Sequence, residues 1–321
     1  MKKLARLAAA FAACLATSAI AQGYPHKPIK WIVPYTPGGI TDSVTRLVTA
    51  KLQDALGQPV VIENKPGANS QIGADLVAKS PPDGYTFLTV IAAHAANATL
   101  YAGKLPFDTT KSFAPVSPAA IAPLILTVNN DFPAKDMKEL IAYAKAHPDK
   151  ISFGSSGVGA AAHLTTELLK QTADIRMVHV PYKGTAPALA GLLGSDIQVL
   201  VDTPSSLMPH VRAGKIRALG MFSAKRVTGA TEVPTVAESG GPAIESSTWV
   251  LFLAPAGTPR EIVQRISAEV AKIVNSPEMK SRFEALGIEA VGNTPEQAGA
   301  FLNDEIAKWA KVINTAGVKA E

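Results

Sequence analysis

One pattern constrains this fold more than any other. Short apolar strands run into a turn of glycine, serine or proline, and each turn opens an amphipathic helix. "VPYTPGGITDSVTRLV" (33–48) is one instance, "FGSSGVGAAAHLTTELL" (153–169) a second and "HVPYKGTAPAL" (179–189) a third. Strands are expected at 29–36, 60–64, 86–91, 151–155, 177–181, 197–201 and 216–222, where Val, Ile and aromatics cluster between Gly, Pro or Asp. Helices are expected at 41–56, 158–172, 186–193, 207–213, 259–274 and 295–315. The last carries Phe301, Leu302, Ile306, Trp309 and Ile313 as a helical stripe. Such alternation predicts an α/β protein with largely parallel sheets covered by helices.

Two apolar runs break the alternation. "IAPLILTVNN" (121–130) and "STWVLFLAPAGTP" (247–259) are extended, and each leads into a helix. They bracket a segment of roughly 120 residues, a plausible domain. The chain is expected to leave a first domain at one run and return at the other. That gives a discontinuous domain 1 (22–124 and 250–321), a domain 2 (125–249) and a cleft between them.

The 321-residue chain begins with Lys2, Lys3 and Arg6, then an apolar run to Ile20, then Ala19-Ile20-Ala21. This reads as a secretory signal cleaved after Ala21. Cys14 is the sole cysteine and falls inside it; a lipid anchor on Cys14 is the weaker alternative, because the apolar run continues past it. Cleavage leaves no thiol for disulfides, nucleophilic catalysis or metal binding. It also lowers the formal charge from +5 to +2. No Lys/Arg tract with interleaved aromatics remains, so nucleic acid is an improbable partner. No cofactor or metal site is expected, since the six histidines show no ligand spacing.

The turns carry the candidate site. At "YTPGGITD", Gly38 and Gly39 free the backbone, and Thr41 and Asp42 suit a helix start. Free N–H groups and the helix dipole there attract an anion. The P-loop lysine and the Rossmann glycines are missing, so a nucleotide phosphate fits poorly. At "FGSSGVG", Ser155, Ser156 and Gly157 offer donors at a second helix start, with His163 further along. A Ser156 nucleophile served by His163 is the competing enzyme reading. It lacks the G-x-S-x-G elbow, because Val158 stands where glycine is needed. Tyr182, Asp202, His94 and Asn97 also follow strands. Each has an ordinary structural alternative as a packing, capping or core residue.

The motifs "YPHKPIKWIVPYTPGGITD", "LGQPVVIENKPGANSQIGA", "FGSSGVGAAAHL", "MVHVPYKGTAPAL" and "WAKVINTAGVK" occur in order along nearly the whole mature chain. With them the sequence resembles the Bug-type periplasmic receptors of tripartite tricarboxylate transporters. The resemblance implies a two-lobed type II periplasmic binding fold, each lobe a mixed sheet flanked by helices, joined by two crossing strands. It implies a monomer that is not an enzyme, which binds a small carboxylate and delivers it to integral membrane transporter subunits; a signalling sensor is the related alternative. It also implies that the turn matching Tyr35–Asp42 (Tyr35, Pro37, Gly38, Gly39, Thr41, Asp42) grips one end of the ligand. Ser155–Gly157 grips the other, with His163, Tyr182 and Asp202 as further candidates. The chain departs from the family at "AAHAAN" and "GANSQIGA", which adds His94, Asn97 and Asn69. A protonated His94 pairing with the ligand would make affinity fall above about pH 6.5. For Asp42, a capping role, a water bridge and contact with a ligand ammonium remain open.

Overall fold

The computed structural model describes residues 23–320. The expected signal, 1–21, lies outside them. The elements run β1 (Ile29–Val33), α1 (Ile40–Leu56), β2 (Val60–Asn64), α2 (Gln71–Ala78), β3 (Thr86–Val90), α3 (Ala92–Leu100), β4 (Phe113–Pro123) and β5 (Ile125–Asn129). They continue with α4 (Met137–Ala146), β6 (Ser152–Ser155), α5 (Ala161–Ala173), β7 (Val178–Pro181), α6 (Thr185–Leu193), β8 (Val199–Asp202), α7 (Pro204–Arg212) and β9 (Ile216–Met221). The chain closes with β10 (Ser247–Pro255), α8 (Arg260–Val274), α9 (Pro277–Ala285), β11 (Glu289–Ala290) and α10 (Pro295–Ala316).

Two mixed sheets result. The first has the order β11-β4-β10-β3-β1-β2, with β1 parallel to β2 and β3, and β10 antiparallel to β3 and β4. The second has the order β7-β6-β8-β5-β9, with β6 parallel to β7 and β8, and β5 antiparallel to β8 and β9. The inner strands are buried on both faces, which explains their near-continuous Val, Ile and Leu content.

The two extended runs are the links between the lobes. β4 ends at Pro123, Leu124 intervenes, and β5 begins the second sheet at Ile125. β10 starts beside it, with Ser247 opposite Pro123. The Leu124 N–H donates to the Ser246 carbonyl (3.1 Å), the Ser246 N–H to the Phe222 carbonyl (3.0 Å), and the Phe222 N–H to the Leu124 carbonyl (2.8 Å). Backbone hydrogen bonds therefore tie the two crossing runs together where one sheet hands over to the other.

β4 is longer than the expected run and starts eight residues earlier, at Phe113. Pro115 and Pro118 disguise it, because proline cannot donate to a ladder. The ladder accommodates them through register shifts between Val250 and Leu251 and between Phe252 and Leu253. Three helices, α2, α3 and α9, were not among the expected segments. α2 follows three consecutive left-handed residues, Ala68, Asn69 and Ser70, and α3 is a run of alanines with no capping side chain.

The lobes are in contact across the cleft. A β-carbon at Gly39 in the first lobe would lie 3.3 Å from Thr185 Oγ1 in the second, and one at Gly184 would lie 2.5 Å from Thr36 Oγ1. The C-terminal helix α10 also reaches the second lobe, where Gln171 Nε2 donates to the Thr315 carbonyl at 3.1 Å.

Candidate functional site

Several strands end at the interlobe cleft, and a helix starts from each. Gly39, Ile40 and Thr41 line it from α1, and Ile91 from the start of α3. From the other lobe come Ser156, Ala161 and Ala162 before and within α5, Thr185 at the start of α6, and Asp202 and Thr203 before α7. Tyr35, Thr36, Leu124 and Thr248 complete the lining of a narrow, nearly closed cleft. This follows from topology, since open α/β sheets collect ligands at the carboxyl ends of their strands.

Among the described helices, side-chain caps occur only away from the cleft. Asp136, Ser276 and Thr294 cap α4, α9 and α10, each side chain accepting an N–H of the first turn. Those three helices contribute nothing to the cleft lining. The five that open on the cleft have no side-chain cap, and neither do α2 and α8, which start elsewhere. No capping side chain takes the first-turn N–H groups of the five, and their positive dipole ends favour an anion, although the His94 and Ser206 N–H groups already donate to the Ile91 (2.8 Å) and Thr203 (3.1 Å) carbonyls. The buried hydroxyl of Thr248, also in the lining, has no hydrogen-bond partner.

The Gly38–Gly39 turn is held from beneath. Asp42 accepts from the Gly38 N–H (3.2 Å), Arg46 Nε (2.9 Å) and Asn64 Nδ2 (3.1 Å). Asp42 is 4% exposed and does not line the cleft. Burial opposes its ionisation, but these bonds and the Arg46 charge outweigh burial and hold the carboxyl below its ordinary value. The sequence left its role open; here it braces the turn and carries its own counter-ion. Pro37 and Gly38 (φ +96) shape the same turn without entering the lining.

Ser155 and Ser156 point to different jobs. Ser156 lines the cleft. Ser155 is fully buried, donates to the Gly157 carbonyl (3.0 Å) and meets His179 Nε2 at 2.7 Å. Gly157, at φ +144, sits where a β-carbon would meet Asn69 Oδ1 at 3.2 Å. Asn69 in turn donates from Nδ2 to Asn97 Oδ1, while Asn97 Nδ2 donates back to the Asn69 carbonyl, both at 2.9 Å. This amide pair belongs to the first lobe and abuts the glycine turn of the second. Neither residue lines the cleft.

Three sequence candidates lie elsewhere. His94 is 1% exposed, beside Phe107 and Phe113, with Nε2 2.8 Å from the Thr109 carbonyl. Burial pulls its pKa down to about 4, so it is neutral at pH 7 and offers no charge to a ligand. The desolvation of an apolar core overrides the binding role inferred from its small neighbours. His163 takes the Gly159 N–H on Nδ1 (3.1 Å) and stacks on His179 at 3.8 Å. Burial first, then His179 and Lys170, push His163 down to about 3. The ring of Tyr182 packs over Gly191 and Gly154. The imagined Ser156–His163 pair does not form. The serine–histidine contact that does form uses Ser155, which solvent does not reach.

A larger open groove lies between residues 223–228 and 284–290. None of the cleft-facing helix starts lines it, so the interlobe cleft is the better candidate for anion capture.

Residues 44–318 match the profile of the tripartite tricarboxylate transporter family receptor. The chain belongs to that receptor family. Protein BugT of Bordetella pertussis is 36% identical over 326 residues, covering 98% of this chain and 99% of BugT. The solved periplasmic binding protein BugD is 34% identical with a TM-score of 0.87, covering 93% of this chain and all of BugD. A Rhodopseudomonas palustris family structure, MatC with bound malate, is 31% identical with a TM-score of 0.84, covering 90% and 100% of the two chains. The family is one of solute receptors, and these relatives are binding proteins rather than enzymes. Among the described residues no helix is long and apolar enough to cross a membrane, and no cluster of potential metal ligands occurs.

Sequence reasoning missed Thr36, Thr185, Thr203 and Thr248. Thr185 carried a readable signal, since it follows Gly184 at a strand–turn–helix junction like the two that were singled out. Thr248 carried none, as threonine inside a strand is ordinary.

Proposed function

We propose that this receptor binds a small carboxylate in the interlobe cleft and passes it to integral membrane transporter subunits. The ligand class is a di- or tricarboxylate, an acidic amino acid or an aromatic acid. One observation carries the reading: all five helices that open on the cleft lack side-chain caps, as do α2 and α8, and the capped ones among the described helices all start away from it. A carboxylate suits such donors, and binding without a cationic side chain leaves it free to dissociate for transport. A solved relative from R. palustris, 35% identical, carries adipate, and MatC carries malate, which supports the class.

In this reading Gly39–Thr41 and Ser156 are the two jaws, with Pro37, Gly38 and Asp42 setting the first and Ser155 and Gly157 the second. Residues 22–124 and 250–321 move as one lobe against 125–249, about the strands at 124 and 246. The protein works as a monomer in the periplasm, after removal of a signal that ends at Ala21. Calorimetric titration against di-, tri-, amino and aromatic acids, with a sugar and an amine as controls, tests the ligand class. Micromolar binding of a control by folded protein that ignores every carboxylate would overturn it.

A further inference from the structure

The cleft is built to take an anion, yet the only ionisable side chains in its lining are the Tyr35 phenol and the carboxyl of Asp202. No lysine, arginine or histidine lines it among the described residues. Asp202 is 5% exposed. Its Oδ1 accepts from the Thr203 N–H (2.7 Å) and the Thr203 hydroxyl (3.4 Å), and its Oδ2 accepts from the Thr185 hydroxyl (2.9 Å). Every one of these donors is neutral.

The surroundings supply no counter-ion either. On β5 the residue opposite is Ile125. Next to it, α5 offers Ala161 and Ala162, α6 offers Thr185, and the start of α7 offers Thr203 with the Ser205 and Ser206 hydroxyls bonded to it. The first lobe faces it with Tyr35, Thr36 and Gly39. The other carboxylate of the jaws, Asp42, is bound to Arg46 outside the lining. Burial already pushes the Asp202 carboxyl above its usual value, with its hydrogen bonds pulling the other way and no charged group contributing.

A ligand carboxylate that enters this space puts two like charges in one water-poor site. Two carboxylates so placed cannot both stay ionised cheaply, and the ordinary resolution is that one takes a proton. We propose that Asp202 takes up a proton from solvent when a carboxylate closes the cleft, so that the receptor captures an anion and a proton together. The protonated carboxyl turns from a repelling acceptor into a hydrogen-bond donor to the ligand. Bulk water supplies the proton, and no other bond changes. This rests on the carboxylate reading above and adds the residue that lets a cleft without cations hold an anion.

Succinate, malate and adipate, each doubly ionised at pH 7.5, are titrated calorimetrically in two buffers of different ionisation enthalpy. The buffer dependence of the heat counts the protons taken up. Wild-type protein should take up a measurable fraction of one proton, and its Kd should tighten by up to tenfold per pH unit from pH 8 to pH 6.5, the limit for one linked proton. Asp202→Asn mimics the protonated carboxyl; it should bind the same acid with no proton uptake and a flat Kd. Thr185→Val removes a neutral donor from Oδ2, so uptake should begin at higher pH than in wild type. Binding without uptake in wild type, uptake persisting in Asp202→Asn, or an unmoved onset in Thr185→Val overturns the inference alone. Failure of all three acids and of every other carboxylate would overturn the carboxylate reading beneath it.

Discussion

Gly39 of the first lobe faces Thr185 of the second so closely that a β-carbon on the glycine would stand 3.3 Å from the threonine hydroxyl oxygen. Its own φ of −82 is open to any residue. Glycine is therefore required here by the partner lobe and not by the backbone.

That separates binding from folding at this position. Gly39→Ala needs only a shift of a few tenths of an ångström and should weaken carboxylate binding by less than about tenfold. Gly39→Leu should prop the lobes apart and weaken it by more than about a hundredfold, roughly 3 kcal/mol, while the melting temperature holds. Titration and thermal melting of both variants check this; full affinity in the leucine variant would remove Gly39 from the jaw.

Thr248 makes the opposite case, a buried polar atom without a partner. Removing it should not harm folding, because no hydrogen bond is lost. Thr248→Val should leave the melting temperature unchanged or raised. If the hydroxyl serves ligand or cleft water, affinity should fall about three- to tenfold, the scale of one neutral hydrogen bond. Titration reads this directly, and unchanged affinity would place the hydroxyl outside the recognition set.

Glu305 anchors one crossing strand to the C-terminal helix. One oxygen, Oε2, accepts from Trp249 Nε1 (2.7 Å) on β10 and from Trp309 Nε1 (2.8 Å) on α10. Glu305→Ala leaves two buried indole N–H groups without an acceptor, a loss of about 2–5 kcal/mol. The melting temperature should drop by roughly 4–10 °C. Glu305→Gln keeps an acceptor and should drop it less; an equal loss in both would show that charge matters more than hydrogen bonding.

Acid should destabilise the fold through its histidines. His94 and His179 are pulled down to about 4, and His163 to about 3, chiefly by burial. Below about pH 6.5 the unfolded chain binds these protons and the folded chain does not. Stability present at neutral pH is therefore lost as pH falls towards 4, by up to about 1.4 kcal/mol per pH unit for each fully affected histidine. Melting scans from pH 7.5 to pH 4.5 should show this decline, and His94→Phe should flatten the slope even if it melts lower throughout. A melting temperature independent of pH across that range would contradict the buried neutral state.

The strand–turn–helix alternation was legible because each strand end carries a local signal: β-branched residues stop, glycine or serine intervenes and a helical stripe begins. Gly39, Thr41 and Ser156 could be placed on that basis, and all three line the cleft. β4 could not, because its prolines hide a ladder that only the facing β10 makes possible. His94 misled because a histidine among small residues looks like a pocket from sequence. Its partners, the Thr109 carbonyl and two phenylalanines, come from chain that spacing does not connect to it. Asp42 and Ser155 were rightly assigned to their turns, but only hydrogen bonds reveal that they brace the turns from behind. The lesson is physical: helix starts announce themselves locally, whereas desolvation is a property of what packs around a residue.

The most direct test is a crystal structure of the mature chain with its tightest-binding acid from the titration panel. The clamp predicts carboxylate oxygens within about 3 Å of backbone N–H groups at the starts of α1 and α5, directly or through one bridging water, with Gly39 and Ser156 on opposite sides. A ligand seated in the groove between residues 223–228 and 284–290, or in the cleft with its carboxylate turned away from both helix starts, would contradict it.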